Sequence, residues 1–293
     1  MILGGKAVIL MEKIKSLVEA RKAFSTQIKC EEHLAYLRWP NGVTCPRCGS
    51  KRNTFLQFRR KWQCKDCRYQ FSDTSGTVFH KTHIDLPRWM IALWTICYSP
   101  KGVSSKQVER ELGTTYKTAW YMTKRIRWAI QNELSGLLLE GDIEIDEAIV
   151  KADGGSATGN VSYQAKDVLG IASRDTGALR MFVLERLNSA NIDHVCGRNL
   201  GVIKTIYSDQ ANRLTFIKKY GLHKTVNHWL SYVDGETHVN HVENAWSLFK
   251  RGLVGVYHHV SAKHLQEYLD EFCFRCSNRH LKPQLMDLVL ASC

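Results

Sequence analysis

No apolar run in this chain approaches the roughly 18 residues needed for a membrane-spanning helix. The Met1–Met11 segment is too short and too interrupted by glycine to span, and it lacks the small-residue cleavage pattern of a signal peptide. No membrane partner is therefore expected. The chain reads as cytosolic, nucleoid-associated if bacterial and nuclear if a eukaryotic relative. The 10 cysteines in 293 residues are too sparse for a small secreted disulfide scaffold. Acidic residues are scarce in one half only: residues 1–140 carry 24 Lys and Arg against 11 Asp and Glu, while residues 141–293 carry 17 of each. A strongly basic half joined to a neutral one points to a nucleic-acid-binding module attached to something else.

What is present divides the chain into four parts, at residues 1–40, 41–83, 84–138 and 139–293. Glu12–Arg38 is loosely periodic and predicts a helix, which Trp39-Pro40-Asn41-Gly42 should end as a turn. Cys45-Pro46-Arg47-Cys48 and Cys64-Lys65-Asp66-Cys67 are two Cys-x-x-Cys knuckles separated by 15 residues. That spacing predicts a structural zinc ribbon with Cys45, Cys48, Cys64 and Cys67 as the Zn²⁺ ligands. Strand-like pieces lie between the knuckles, with Arg59, Arg60 and Lys61 as a basic tip.

Leu86–Tyr98 predicts a hydrophobic helix. A second helix runs from Ser104 or Ser105 to Leu112, Gly113 closes it, and Thr114 is placed to cap a third, Thr115–Arg127. Ala119, Met122, Ile126 and Ile130 share the inner face of that third helix. Tyr116, Lys117, Lys124 and Arg125 make it a candidate DNA-reading helix, the second of a helix-turn-helix. A plain helical hairpin with a solvated basic face fits the same stretch.

From residue 139 the pattern changes to strands. Ile143–Val150 is one, with Asp142, Glu144 and Asp146 on a single face by period two, so position does not choose among them. Asp153-Gly154-Gly155 reads as a loop. Val168–Ser173 and Ala178–Leu184 flank the Asp175-Thr176-Gly177 turn as a hairpin. A helix follows over Asn191–Leu200, then a strand Val202–Asp209 that ends in an aspartate. Three antiparallel strands, a helix, a parallel strand and late helices describe a ribonuclease-H-like α/β sheet.

Thr237–Arg251 carries the densest pattern. Val242, Trp246, Phe249 and Leu253 make an apolar helical stripe, and Asn240, Glu243, Ser247 and Lys250 a polar one beside it. An ordinary amphipathic helix with a solvated glutamate satisfies this pattern too. Set beside strand-borne Asp146 and Asp209, however, Glu243 would complete three carboxylates able to bind Mg²⁺, or Mn²⁺, for phosphodiester chemistry. Cys273 and Cys276, with no second knuckle near them, read as helix core. His238, His241, His258 and His259 read as core or DNA-contacting groups.

These residues resemble bacterial insertion-sequence transposases that join a zinc ribbon to an acidic-triad (DDE-type) domain, the group related to Merlin transposons. The resemblance is carried by Arg38–Cys48, Thr115–Trp120, Ile145-Asp146-Glu147, Ser208-Asp209 and above all His238–Gly252 with Tyr257–Ser261. It covers roughly residues 28–280. It implies that Asp146 and Asp209 are the first two metal ligands, rather than Asp142 or Glu144. The third is Glu243 or Asn240; Glu243 is favoured because a carboxylate binds Mg²⁺ better than an amide does. Lys250, with Arg251 beside it, would contact transposon-end phosphate. One departure is the run after Asp146, where the family's aromatic-Val-Gly-Gly-Lys is replaced by Ala148–Gly155. The implied activity is Mg²⁺-dependent strand cleavage and strand transfer on double-stranded DNA, at transposon inverted repeats and at a target. A homodimer or higher oligomer would hold two ends. The alternative is a zinc-ribbon, helix-turn-helix regulator whose transposase-like domain is inactive.

Overall fold

The computed structural model describes residue 11 and residues 14–153, 163–209, 212–226 and 238–291. Met1–Leu10, Gly154–Gly155 of the expected loop and Thr237 of the patterned stretch lie outside them.

In chain order the elements are α1 (Leu17–Ala23), α2 (Gln27–Arg38), β1 (Asn53–Leu56), β2 (Lys61–Cys64), β3 (Gln70–Phe71), α3 (Leu86–Tyr98), α4 (Ser105–Leu112) and α5 (Tyr116–Leu134). There follow β4 (Leu139–Asp153), β5 (Tyr163–Ser173), β6 (Leu179–Leu184), α6 (Ser189–Asn199), β7 (Leu200–Asp209), β8 (Leu222–Val226), α7 (Asn240–Gly252), α8 (Leu265–Ser277) and α9 (Leu285–Ala291). They form two compact units. One comprises residues up to Ser99, Ser105–Glu133 and Leu281 onward; the other comprises Pro100–Ser104 and Leu134–His280.

In the first unit the expected single helix over Glu12–Arg38 is two. The Ser16 hydroxyl caps α1 in a capping box with Glu19, and the Thr26 side chain caps α2 by accepting from the Lys29 N–H at 3.3 Å. Two hydroxyl caps so close together offer the backbone a better end than an unbroken helix would. α3 is buried nearly all round, with Trp89, Met90, Leu93 and Ile96 fully enclosed. The turn between α4 and α5 needs left-handed backbone at Gly113 (φ 60°). The hydroxyl at the start of α5 belongs to Thr115, which accepts from the Thr118 N–H, rather than to Thr114. Ala119, Met122, Ile126 and Ile130 are fully buried, as their spacing predicts.

The second unit is built on a five-stranded mixed sheet of order β6-β5-β4-β7-β8. β4, β5 and β6 are antiparallel neighbours; β7 runs parallel to β4, and β8 parallel to β7. Alternation along β4 sends Ile143 and Ile145 to one core, shared with Ile192 and Cys196 of α6 and with Leu214 and Ile217. Val150 and Ala152 face the other core, built with Val242, Trp246 and Phe249 of α7 and Leu265, Leu269 and Phe272 of α8. Cys273 and Cys276 lie in α8 as core or near-core groups. β8 and the 3₁₀ segment Asn212–Lys219 had no counterpart in the sequence reading.

Candidate functional sites

The four ribbon cysteines come together as their spacing predicts. In the first knuckle the Gly49 N–H donates to the Cys45 carbonyl at 2.9 Å, and in the second the Arg68 N–H donates to the Cys64 carbonyl at 3.1 Å. Gly49 and Arg68 are both left-handed, at φ 73° and 62°. The Cys45 and Cys67 sulfurs are 3.6 Å apart, as are those of Cys48 and Cys64. A tetrahedral ion with Zn–S bonds near 2.3 Å requires sulfur separations of about 3.8 Å, so this donor set fits zinc. The Cys67 N–H donates to the Cys64 sulfur and, with the neighbouring hydrogen bonds, holds that thiol down at about 6, which favours the ligating thiolate. Trp39, Cys45, Cys64 and Phe71 make a core too small to stand alone. At the hairpin tip Arg60 is bound to Glu31, while Arg59 and Lys61 are exposed around a fully exposed Phe58.

On α5 the outward face is aromatic and cationic. Tyr116, Trp120, Tyr121 and Trp128 are exposed, Lys124 lies 5.2 Å from the Trp120 ring centre, and Lys117 is exposed. Arg125 is engaged within the chain, donating to the Tyr121 hydroxyl at 2.6 Å and to the His80 carbonyl at 3.2 Å.

The sheet gathers the acids. β4 and β7 pair through Ile145 and Ser208, which sets Asp146 and Asp209 next to one another where the parallel pairing ends. Asp146, Asp209 and Glu147 each bring an oxygen to within 4.8 Å of the others, all three side chains half-buried. Octahedral Mg–O bonds of about 2.1 Å put oxygens roughly 3 to 4 Å apart, so this group suits such an ion. Glu147 was not foreseen, since period two assigns it to the opposite face from Asp146. Past Ile145 the β4–β7 ladder stops, so no β4–β7 pairing lies between Glu147 and Asp209 at that edge.

α7 lies over this group. Val242, Trp246 and Phe249 of its apolar stripe are buried as expected, Leu253 just past its end is half-buried, and Asn240, Glu243, Ser247 and Lys250 form the exposed stripe. The Trp246 indole N–H donates to Asp146 at 3.0 Å. Gly170, opposite Asp146 on β5, makes the close approach possible: a Cβ there would stand 2.6 Å from Trp246 and 2.9 Å from Val242. The Glu243 carboxylate is not part of the three-oxygen group. Arg251 is exposed beside Lys250. Glu144, two positions before Asp146, is fully buried.

Residues 138–277 match the ISXO2-like transposase domain and residues 25–70 the transposase zinc-ribbon domain. A protein of Halobacterium salinarum, described as an uncharacterized protein in transposable element ISH50, is 30% identical over 87% of this chain and 92% of its own length. The chain belongs to the ISXO2-like transposases. The match to the transposase domain takes in Asp146, Glu147, Asp209 and Glu243, and the ribbon match takes in all four knuckle cysteines. Among solved structures, a chain of a simian T-cell lymphotropic virus intasome bound to the PP2A regulatory subunit B56 gamma is similar at 12% identity. That likeness has a TM-score of 0.27 and covers 51% of this transposase and 58% of that chain, too slight to bear on its fold. No helix among the described residues is long and apolar enough to cross a membrane.

Proposed function

We propose that this transposase binds the inverted repeats of its element through residues 41–138, then cuts DNA and joins the freed 3′ ends to a target at the acidic group of the sheet. The observation that carries this reading is the approach of Asp146, Glu147 and Asp209 where two parallel strands end. The strand order and the crossing α7 support a ribonuclease-H-like reading of the unit. Such sheets gather ligands beyond the carboxyl ends of strands.

Asp146 and Asp209 would hold Mg²⁺ or Mn²⁺, with Glu243 from the first turn of α7 as third ligand and Asn240 as its alternative. The geometry gives Glu147 a rival claim, since its carboxylate already stands in the group. Bound there, the ion would supply activation of the attacking water or 3′-hydroxyl and charge stabilisation at the phosphodiester. The Trp246 N–H donates to one oxygen of Asp146 and holds that carboxylate in place. Lys250 and Arg251, exposed near the end of α7, would bind the phosphate backbone.

α4 and α5 support a helix-turn-helix reading, in which Tyr116, Lys117 and Lys124 face the duplex. Arg125, already engaged, orients Tyr121, and Arg59 at the ribbon tip adds a phosphate contact while Arg60 braces the tip through Glu31. The ISH50 relative, itself part of a transposable element, agrees with this assignment. Two transposon ends need at least two chains, so the active form is a dimer or larger.

The test is cleavage of DNA carrying the element's ends, with Mg²⁺, by wild type and by Asp209→Ala. The variant should bind and not cut. Specific binding without cutting by wild type would favour a regulator with an inactive domain.

A further inference from the structure

The first turn of α7 has a capping defect. Its N-cap position is Val239, which has no side-chain oxygen, and no side chain of the cap itself satisfies the first N–H groups. The acceptor comes from β4 instead. Glu144, with no exposed surface, takes the His241 N–H at 2.8 Å and the Val242 N–H at 3.2 Å on one carboxylate oxygen. Its other oxygen takes Nε of Arg174 at 2.8 Å and meets Nδ1 of His241 at 2.8 Å and of His238 at 3.3 Å. Arg174 in turn lies 3.6 Å over the Tyr207 ring and donates to the His238 carbonyl. A buried negative charge at a helix N-terminus, with an arginine to balance it, is a strong and directional anchor.

We propose that Glu144 is a positioning residue that sets the register of α7 on the sheet, and through it the placement of Glu243 over the acidic group. This rests on the function proposed above. Two side chains of β4 hold the helix: Glu144 grips its first turn and Asp146 grips Trp246. Two residues of strand rise about 6.6 Å, and the five residues from His241 to Trp246 rise about 7.5 Å along a helix. The two grips fall at His241–Val242 and at Trp246, and Glu243 lies between them in the chain. A slip of one residue would turn α7 by about 100° and carry Glu243 off the site.

Glu144, His238 and His241 also have the donor types of a metal site, with ligand atoms within 4.8 Å of one another. The Arg174 guanidinium argues against that use. It occupies the approach to Glu144 and His238 that a cation would need, and both oxygens of Glu144 are already engaged.

The test uses the full-length zinc-loaded protein, first without Mg²⁺ or DNA. In Glu144→Gln, hydrogen exchange at the α7 first-turn amides should quicken by about tenfold or more, while that of α8 and β5 stays as in wild type. Unchanged exchange, or a rise spread evenly over the sheet, overturns the proposal. Because Glu144→Gln leaves Arg174 facing a neutral group, Glu144→Gln/Arg174→Gln is measured beside it. Exchange should remain fast in this pair; restored protection would make Glu144 a mere counter-ion and refute the positioning role. Zinc content should stay at one per chain throughout, and a second zinc lost with Glu144 would assign the cluster to a metal instead. In the cleavage assay, Glu144→Gln should need about tenfold more Mg²⁺ for half-maximal rate, a change that protein added in excess does not rescue. A wild-type Mg²⁺ requirement in a cutting variant overturns the proposal. A wild-type protein that cuts nothing refutes the proposed function instead, and the exchange result still decides whether Glu144 anchors α7.

Discussion

The ribbon and the sheet site are both clusters of side chains of metal-ligating type, yet they are built in opposite ways. The ribbon's four sulfurs sit on two tight turns, each turn closing its own pair, with Trp39 and Phe71 the buried side chains clustered behind them. The acidic group draws Asp146 and Glu147 from one strand and Asp209 from another, and Asp209 would not be near the other two without the sheet. One site makes its fold and the other is made by it. Loss of a ligand should accordingly cost stability in the ribbon and activity in the sheet.

The largest expected effect is on the ribbon side. Cys64→Ser should release the zinc and unfold residues around the two knuckles, since structural zinc supplies on the order of 10 kcal/mol to such modules. Metal content should fall to zero, and limited proteolysis should open the ribbon while the sheet remains resistant. A ribbon that stays protected without its metal would break the comparison at its first half.

On the sheet side, Asp209→Asn should cut cleavage by roughly a thousandfold or more, through lost stabilisation of transition-state charge. Without divalent metal its melting temperature should not fall, because removing one of three crowded carboxylates relieves repulsion. Glu243→Gln and Glu147→Gln divide the third position between them: the true ligand's variant should lose activity on the scale of Asp209→Asn, and the other only modestly. Asn240→Ala serves as the outer comparison. Equal, small losses in all three would leave only two protein ligands for the ion.

The third effect is smaller and purely steric. Gly170→Ala puts a methyl group against the Trp246 ring and Val242, both packed in the core beneath α7. Overpacking of this kind costs about 1–3 kcal/mol, and the upper end is expected because an indole cannot swing aside. Thermal denaturation measures the loss, and the Mg²⁺ requirement should rise with it as α7 shifts.

Much of this was legible because it was local. Knuckle spacing gives the ribbon, the inner face of α5 follows from Ala119, Met122, Ile126 and Ile130, and Asp209 ends its strand as the pattern implies. The illegible parts depend on distant neighbours. β8 is a short edge strand with Leu222 exposed, so no alternation marks it. Glu147 joins the acids only because β7 stops beside it. Glu144 is equivalent to Asp146 by periodicity; its partners His238 and His241 stand nearly a hundred positions away, and only the fold tells the fully buried Glu144 from the half-buried Asp146.

The smallest effect tests whether the ribbon side tolerates a carboxylate as the sheet does. Burial lifts Asp73 to about 6 even though the Trp62 indole N–H donates to it at 3.0 Å. The folded state thus holds this proton more tightly than the unfolded chain, whose value is near 3.8. The folded protein is therefore favoured below about 4, and that advantage is lost as pH rises through about 6. Asp73→Asn keeps the oxygen that Trp62 needs and has no charge to bury. It should exceed wild type in stability by on the order of 1–2 kcal/mol at pH 7.5, and by about a third of that at pH 4.5. Zinc content is followed in both proteins, because the difference between their denaturation curves isolates Asp73 while both keep the metal. A constant difference across this range would mean that Asp73 is charged without penalty, as the half-buried acids of the sheet are proposed to be once their metal is bound.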